Sequence, residues 1–171
     1  GRRPNSPWLH AHVFDHRWNG GYQEEFKRIV EERPKGVELP SLLNKKCQVS
    51  GVYTIDFRSF RDLHRQRSMN QSMPLLTTKL GFEEWYLQQM PELMAAKVRG
   101  WLEDYRSRLE MLDLSPEDKQ YLTPMGYKVS VEFSVGLAHL VYVIELRTPQ
   151  TVHPTVRQIA QFWAKDLIKM F

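Results

Sequence analysis

Apolar residues recur at helical spacing in some parts of the chain and alternate with polar residues in others. They keep a helical period over Gly21–Arg33, until Pro34 ends it, which predicts a short amphipathic helix. The run Cys47–Ile55 is short and rich in β-branched residues, so we expect a strand there. A helical period then returns, and it predicts a helix over about Asp56–Gln71 that ends before Pro74.

The middle of the chain predicts three further helices. Phe82–Met90 has a helical period, and Pro91 can begin a longer helix because proline is accepted in a first helical turn. Ser115 can cap a brief helix, since a proline and two acidic residues follow it. In the longer helix one apolar stripe is expected to face the core: Met94, Val98, Trp101, Tyr105, Leu109 and Leu112.

The last third of the chain combines the clearest strand signal with an ambiguous run. Apolar and polar residues alternate over Tyr127–Val135, which predicts a strand. Two structures stay open for Gly136–Arg147, because its β-branched residues favour a strand whereas its length and leucine spacing favour a buried helix. A final helix is expected from Pro154, with its apolar side buried: Val156, Ile159, Ala160, Trp163 and Leu167.

The composition is that of a protein with one substantial core. With 171 residues, of which 42% are hydrophobic, we expect a single domain over residues 21–171, preceded by an arm or linker over residues 1–20. The net charge of +4 favours anionic ligands without requiring nucleic acid. The single cysteine, Cys47, excludes an internal disulfide and fits a reducing compartment. No apolar run is long enough to span a bilayer, so we expect a cytoplasmic protein without a membrane partner.

Cationic side chains are concentrated on the predicted helix that follows the first strand. Arg58, Arg61 and Arg65 share one face at helical spacing. Guanidinium groups bind phosphate through paired donors and stay charged, which suits a nucleotide or a phosphorylated cofactor. The alternative is an exposed helix in which Asp62 forms ion pairs with Arg58 and Arg65. The hydroxyl and amide groups of Ser68–Ser72 favour the binding interpretation slightly.

The motif "HAHVFDH" near the N-terminus contains the residue types that bind divalent metals, namely His10, His12, Asp15 and His16. Its spacing has one residue too many before the aspartate for the ligand run of metallo-hydrolases, and no later set of histidine and aspartate completes it. We therefore expect a plain polar arm and no metal site.

A turn with three basic residues leads into the last predicted helix. Arg147, His153 and Arg157 surround this turn, and the free N–H groups of a helix N-terminus attract anions. The alternative is an ordinary helix start at which His153 is an indifferent cap. Cys47 has only Lys45 and Lys46 as basic neighbours, so a structural thiol is favoured over a nucleophile.

Three segments in order carry a family resemblance: "FRDLHRQRSMNQ", "YLTPMGYKVSVEFSVGLAHLVYVIELR" and "RTPQTVHPTVRQIAQ". Together they resemble the flavin-dependent thymidylate synthases and their divergent relatives, whose signature is RHRxxSxNExSxR. The resemblance runs from about Gly51 to the C-terminus. It implies an α+β fold like that of the thymidylate-synthase-complementing proteins, with a small antiparallel or mixed sheet packed against long helices, and it implies a helix for Gly136–Arg147.

The resemblance also implies a reaction, its cofactors and its assembly. In the family, deoxyuridylate (dUMP) is methylated to dTMP with FAD, NADPH and methylenetetrahydrofolate, and the flavin sites lie between the subunits of a tetramer. We therefore expect a dUMP-like nucleotide as ligand and either a homo-oligomer or a tandem sister domain as partner. The protein supplies position and cations in such a reaction, and the cofactor supplies the redox chemistry.

Residue roles follow from the resemblance position by position. Arg147 would polarise the pyrimidine as the catalytic residue. The cofactor contacts would be Arg65, Gln66, Arg67, Asn70 and His153. The substrate contacts would be Arg61, Asp62, Arg65, Ser72, Gln120 and Arg147.

The chain departs from the family signature at several of these positions. In one register Gln66 replaces the histidine, and Leu75 and Thr77 replace the second serine and the last arginine. A second register aligns His64 and Arg65 with the signature, and Ser68 and Asn70 with its SxN part. Further on, Gly136 and Ala138 replace the NxR pair that holds flavin, and Tyr142 replaces an amide.

Three functions remain open at this point. The first is an active or partly active thymidylate synthase domain, and the second is a non-catalytic nucleotide-binding or assembly module of the same fold. The departures from the signature favour the second. A basic nucleic-acid-binding domain is the weakest, because the aromatic residues lie mostly on apolar stripes and leave few for base stacking.

Overall fold

The structure is a computed structural model that describes the backbone of residues 8–13, together with residues 28–29 and 31–169. The strands are β1 (Trp8–Val13), β2 (Cys47–Asp56), β3 (Asn70–Ser72) and β4 (Lys128–Gly136). The helices are α1 (Leu42–Lys46), α2 (Phe57–His64), α3 (Glu84–Gln88), α4 (Glu92–Met111), α5 (Pro116–Leu122), α6 (Leu137–Arg147) and α7 (Pro154–Ile168). None of the helices in these ranges is long and apolar enough to cross a membrane.

The four strands form one antiparallel sheet in the order β1-β2-β4-β3. β2 and β4 pair along their length, from Gln48 opposite Gly136 to Asp56 opposite Lys128. β1 lies within the predicted arm, and its backbone pairs with β2 as an edge strand. Most of the helix predicted over Gly21–Arg33 lies outside the described residues, although residues 28, 29, 31 and 32 are helical.

One face of the sheet forms the floor of the core. Alternate residues of β2 and β4 are buried on this face, as their period of two requires: Val49, Tyr53, Ile55, Val129, Val131, Phe133 and Val135. Trp163 of α7 packs onto them, with ring centroids 5.2 Å from Tyr53 and 5.0 Å from Phe133. Cys47 is buried here as well, and burial raises the pKa of its thiol, which agrees with the prediction of a structural thiol.

The helix predicted over Asp56–Gln71 is wrong at its C-terminal end. α2 stops at His64, two tight turns follow, and residues 70–72 form β3 beside β4. Gln71 explains the change, because its Nε2 donates to the carbonyl of Leu63 at 3.0 Å and its Oε1 accepts from the Tyr53 hydroxyl at 2.6 Å. These bonds and the pairing partner offered by β4 outweigh the helical period of the sequence.

The prediction that one stripe buries α4 is wrong for three of its six members, Met94, Trp101 and Leu112, which are exposed, whereas Leu109 is buried and Val98 packs against the core. The buried residues are Ala95, Leu102 and Leu109, whereas Met94 and Trp101 are 54% and 56% exposed. Tyr127 donates from its hydroxyl to the Leu102 carbonyl at 3.3 Å and lies against this side of the helix. The predicted stripe is therefore offset from the side that faces the core.

The remaining elements follow the sequence pattern closely. α3 is shorter than predicted, because Phe82 forms a β-bridge with Tyr127 and the Glu83 side chain caps the helix start. Ser115 caps α5 by accepting from the Asp118 N–H, as predicted. α6 is a helix, with its ambiguity resolved by burial on several sides: Ala138, Leu140, Val143 and Ile144. In α7 the buried side includes Val156, Ala160 and Trp163, as predicted.

The contact between Tyr53 and Gln71 leads to a prediction about β3. Tyr53→Phe should lower the free energy of unfolding by about 1 to 2 kcal/mol, because the half-buried Oε1 of Gln71 loses its donor. Urea denaturation measures this change. The matched control is Tyr121→Phe, since Tyr121 is 84% exposed and its change should stay within about 0.5 kcal/mol. Equal stability of Tyr53→Phe and the wild type would show that this hydroxyl does not hold β3.

Candidate anion-binding site

α2 presents two different faces because of the spacing of its residues. Phe60 and Leu63 are buried against the core, whereas Arg58, Arg61 and Arg65 point away from it and are exposed. The helix begins where β2 ends, and Asp56 caps it by accepting from the Ser59 N–H at 2.9 Å. The arginines are thus held on a helix whose start is fixed by the sheet.

The exposed arginines of α2 surround a small depression. Arg58, Arg61, Asp62 and Arg65 line it, and its volume is about 140 Å³. No ion pair formed within residues 31–169 joins Asp62 to Arg58 or Arg65, so the alternative of a helix neutralised by its own pairs is not supported. Arg61 contacts Met125, with its Nη1 3.7 Å from the sulfur. The depression therefore carries a net positive field that suits an anion.

Arg147 contacts α2 from the end of α6. Its Nη2 donates to the backbone carbonyl of Asp62 at 3.3 Å, although the two residues are 85 positions apart. Its Nε is buried and has no hydrogen-bond partner among the described residues. A buried donor without a partner costs free energy, so it is a position at which a ligand oxygen would be stabilising. The structure brings Arg147 to Asp62, and it places Asp62 with Arg61 in the depression; that these residues bind a substrate stays a prediction.

His153 lies beside the cluster, in a network of side chains that joins α2 to α7. Its Nδ1 lies 2.9 Å from the Thr155 hydroxyl and 3.4 Å from that of Ser59. The hydroxyls of Ser59 and Thr155 are 2.6 Å apart and both are buried. His153 is the residue that precedes α7, and it is held by α2 rather than left indifferent.

Asp56 lies behind this network and is fully buried. Its Oδ2 accepts from the Tyr86 hydroxyl at 3.1 Å as well as from the Ser59 N–H. Its Oδ1 has no partner within the described part of the chain. Burial raises the pKa of Tyr86, and the neighbouring Asp56 carboxylate raises it further, so the phenol stays protonated and remains a donor.

Asp56, Ser59 and Thr155 were not expected in the site from the sequence. Serine and threonine are common polar residues, and only contacts between distant segments give these two a shared role. One local signal was available. An aspartate directly before a helical period, with a serine three residues later, is the pattern of an N-terminal cap.

The environment of His153 lowers its pKa. Burial is the main cause and the Arg58 guanidinium adds to it, while Asp56, Asp62 and Glu83 act in the opposite direction. The ring also contacts two aromatic side chains, with centroids 4.6 Å from Trp85 and 5.7 Å from Tyr86. His153 is therefore neutral at pH 7, and it adds hydrogen-bonding capacity without adding charge.

Other residues named from the resemblance lie around the cluster or away from it. Gln66 and Arg67 lie in the turns after α2, and Asn70 and Ser72 are exposed on β3. These two line a shallow groove of about 320 Å³ with Glu132 and Ser134 of β4. Gln120 lies on α5, and no hydrogen bond of the described residues connects its side chain to the arginines.

The metal-like motif near the N-terminus cannot be placed in the same way. His10 and His12 are on β1, for which only the backbone is described, and Asp15 and His16 lie outside the described residues. Among the described residues no cluster of histidine, cysteine and acidic side chains could hold a metal ion. The expectation of no metal site stays a prediction.

Comparison with solved structures identifies the fold. The chain is similar to thymidylate synthase X from Helicobacter pylori with FAD and dUMP, with 17% identity and a TM-score of 0.59, over 90% of this chain and 80% of that one. The chain has the thymidylate synthase X fold. A second structure, the Helicobacter pylori flavin-dependent enzyme complexed with FAD and dUMP, gives a TM-score of 0.57 at 18% identity and covers 92% of this chain and 82% of that one. The α+β fold expected from the sequence is confirmed.

Comparison with curated sequences finds relatives that are much longer. A UPF0159 protein from Chlamydia muridarum is 37% identical over 119 residues, which are 68% of this chain and 22% of that protein. UPF0159 proteins from Chlamydia pneumoniae and Thermoplasma acidophilum are each 30% identical, over 67% and 63% of this chain and 22% of their own lengths. No family model matches the chain. The chain thus spans about a fifth of the length of these relatives.

The lowered pKa of His153 leads to a prediction about pH. The folded state favours the neutral ring, because its His153 pKa lies below the ordinary value of about 6.5. As the pH falls below about 6.5, the unfolded chain therefore binds a proton more readily than the folded chain. The free energy of unfolding decreases between pH 6.5 and the lower pKa of the folded state. His153→Gln replaces the titratable ring by a side chain that does not titrate, so it should reduce the dependence of the melting temperature on pH between about 7 and 5. Thermal unfolding of both proteins across this range measures the difference. Identical profiles would contradict the assignment.

Proposed function

We propose that this chain is a nucleotide-binding domain of the thymidylate synthase X fold that holds the phosphate of a dUMP-like nucleotide between α2 and the end of α6. The observation that carries the proposal is the exposed depression lined by Arg58, Arg61 and Arg65, none of which has an ion pair with Asp62 within residues 31–169. Arg147 contacts the same helix through the Asp62 carbonyl, and its buried Nε has no partner within those residues. Phosphate accepts paired bonds from guanidinium groups, and such charge-assisted bonds are stronger than neutral ones.

Neighbouring groups support a nucleotide over a bare anion. The neutral His153 lies beside the arginines, with Trp85 and Tyr86 packed around it, so the cationic surface borders polar and aromatic side chains. The similar Helicobacter pylori structures hold FAD and dUMP in this fold. A single basic cluster of this kind is small compared with the extended cationic surface that nucleic acids require.

The second candidate is the complete reaction, in which dUMP is methylated to dTMP with FAD, NADPH and methylenetetrahydrofolate. Arg147 favours it, because a cation placed at the pyrimidine would polarise the ring as the reaction requires. FAD would supply the redox chemistry, and Arg65, Gln66, Arg67, Asn70 and His153 would be its contacts on this chain. His153 Nδ1 is already bonded to Thr155, which reduces what it can offer a cofactor. Nucleotide binding is therefore the function that the geometry supports best.

A direct titration tests nucleotide binding. Isothermal titration calorimetry with dUMP should give saturable binding that Arg147→Ala and Arg65→Ala each weaken by about tenfold or more, because each removes a charged donor to the phosphate. Arg108→Ala is the matched control, since Arg108 is an exposed arginine paired with Asp104 on α4. A dissociation constant unchanged in Arg147→Ala would contradict the proposal. Oligonucleotide binding with a steep dependence on salt would favour the nucleic-acid function instead.

We also propose that another copy of this fold, either a second chain or a tandem sister domain, covers the exposed apolar side of α4. This α4 apolar face consists of Met94, Trp101, Tyr105 and Leu112, which share one side of the helix. Trp101 stacks on Tyr105 at 5.0 Å while remaining 56% exposed. A large aromatic residue exposed among other apolar side chains is typical of an interface.

The α4 apolar face leads to a prediction about assembly. Trp101→Glu should dissociate the assembly or weaken it strongly, because burying the new carboxylate without a partner is costly. Light scattering after size-exclusion chromatography measures the mass of the particle. Gln161→Glu, which adds the same charge at an exposed position of α7, should leave the mass unchanged. A wild-type chain that remains monomeric at high concentration would exclude a homo-oligomer and leave the sister domain as the partner to test on a longer chain.

A further inference from the structure

We infer that residues 33–46 of this chain cover the N-terminal end of α6 and fill the space beside it. This end of the helix is therefore a structural junction and not a flavin contact. The α6 strap, as we call these residues, runs along the helix and ends in α1. The inference goes beyond the proposed function, because it concerns the opposite end of α6 from Arg147. At about 1.5 Å per residue these two ends lie about 16 Å apart.

The first contact of the α6 strap is a cap on the helix. The Oδ1 of Asn44 accepts from the His139 N–H at 3.1 Å and so satisfies one of the free donors of the first helical turn. The Asn44 carbonyl accepts in turn from the Gln48 side chain at 2.7 Å. Asn44 is thus held at the helix start from both sides.

Gly136 leaves the room that this cap requires. A Cβ atom at position 136 would lie 2.3 Å from Asn44 Oδ1 and 2.5 Å from its Cγ, distances that real Cβ atoms do not adopt. Any larger residue at this position would therefore have to displace Asn44. The Asn44 side chain of the α6 strap therefore occupies the space beside the junction between β4 and α6.

Ala138 is enclosed by the same segment. It is 1% exposed and forms a small cluster with Leu39 and Leu43, with Val141 packed against it. A long cationic side chain could not extend from this position without breaking the cluster. The apolar contacts of the strap therefore cover the side of α6 that follows the cap.

Polar contacts fix the remainder of the strap further along α6. Glu38 lies 3.2 Å from the Nδ1 of His139, and the Gly36 N–H donates to the Glu145 carboxylate at 3.0 Å. Arg33 forms a two-point ion pair with the same carboxylate. The hydrogen bond from Arg33 is the main cause that lowers the pKa of Glu145, so the pair is ionised at neutral pH. The strap is attached at its start, middle and end.

The family resemblance places an asparagine and an arginine that hold flavin at positions 136 and 138. This chain has neither side chain, and the space around both positions is filled by Asn44, Leu39 and Leu43. The residues present do not fit the group at this end of the helix. Arg147, at the other end, contacts the Asp62 carbonyl of α2. One helix therefore combines an end available to an anion with an end closed by the chain itself.

Hydrogen–deuterium exchange with FAD tests the inference on the wild-type protein. Peptides covering residues 33–46 and 136–141 should exchange at the same rate with and without FAD, whether or not FAD binds elsewhere. Saturable FAD binding that protects residues 136–141 and exposes residues 33–46 would overturn the inference. The dUMP titration is read separately, so a failure of nucleotide binding and a failure of this inference are distinguishable.

A double-mutant cycle tests the packing without any ligand. Gly136→Ala should lower the melting temperature clearly in the wild-type background and much less in the Asn44→Gly background, because the clash partner is then absent. An equal loss in both backgrounds would show that Asn44 does not occupy this space. If Gly136→Ala does not fold, the exchange measurement on the wild-type protein still decides.

Discussion

The buried carboxylate of Asp56 connects the sheet to three helices. It ends β2 opposite Lys128, caps α2 through the Ser59 N–H and accepts from Tyr86 of α3. Ser59 in turn bonds to Thr155 of α7. Burying a carboxylate is costly unless donors compensate for it, and the two donors to Asp56 Oδ2 come from α2 and α3, so the positions of these helices depend on this residue. This junction also positions the arginines of α2, because Arg58 lies only two residues after Asp56.

The antiparallel pairing of β2 and β4 determines how the two ends of α6 differ. Both strands turn directly into a helix, but they do so at opposite ends of the sheet, because Asp56 pairs with Lys128 and Gly136 pairs with Gln48. α6 therefore starts at the opposite end of the sheet from α2, and its last residue, Arg147, contacts α2. The caps differ in the same way. α2 is capped by Asp56, the residue directly before it in the chain. α6 is capped by Asn44, which comes from a segment far away in the sequence.

Local patterns predicted most elements and the main cations of the site. The alternation of Tyr127–Val135, the proline starts of α5 and α7 and the arginine spacing on α2 all involve residues close in sequence, and all appear in the structure. The errors concern contacts between distant segments. β3 forms because β4 offers it a partner, and α4 faces the core with an offset stripe beside Tyr127. No periodicity in one segment contains that information.

The α6 strap could not be predicted from the sequence for the same reason. Its contacts with α6 join residues 95 to 112 positions apart in the sequence. In the sequence, Gly136 and Ala138 indicated only that the two flavin-holding side chains implied by the resemblance are missing. The structure shows that the space they leave is filled. A missing contact in an open site could be supplied by another molecule, whereas the filled space at positions 136 and 138 is opened only by displacing the Asn44 cap and the apolar cluster of Leu39 and Leu43. The depression lined by Arg58, Arg61 and Arg65 is exposed, so an anion could reach these arginines without such a rearrangement. The two ends of α6 thus differ physically. Arg147 at one end contacts α2, whereas positions 136 and 138 at the other end are enclosed by Asn44, Leu39 and Leu43.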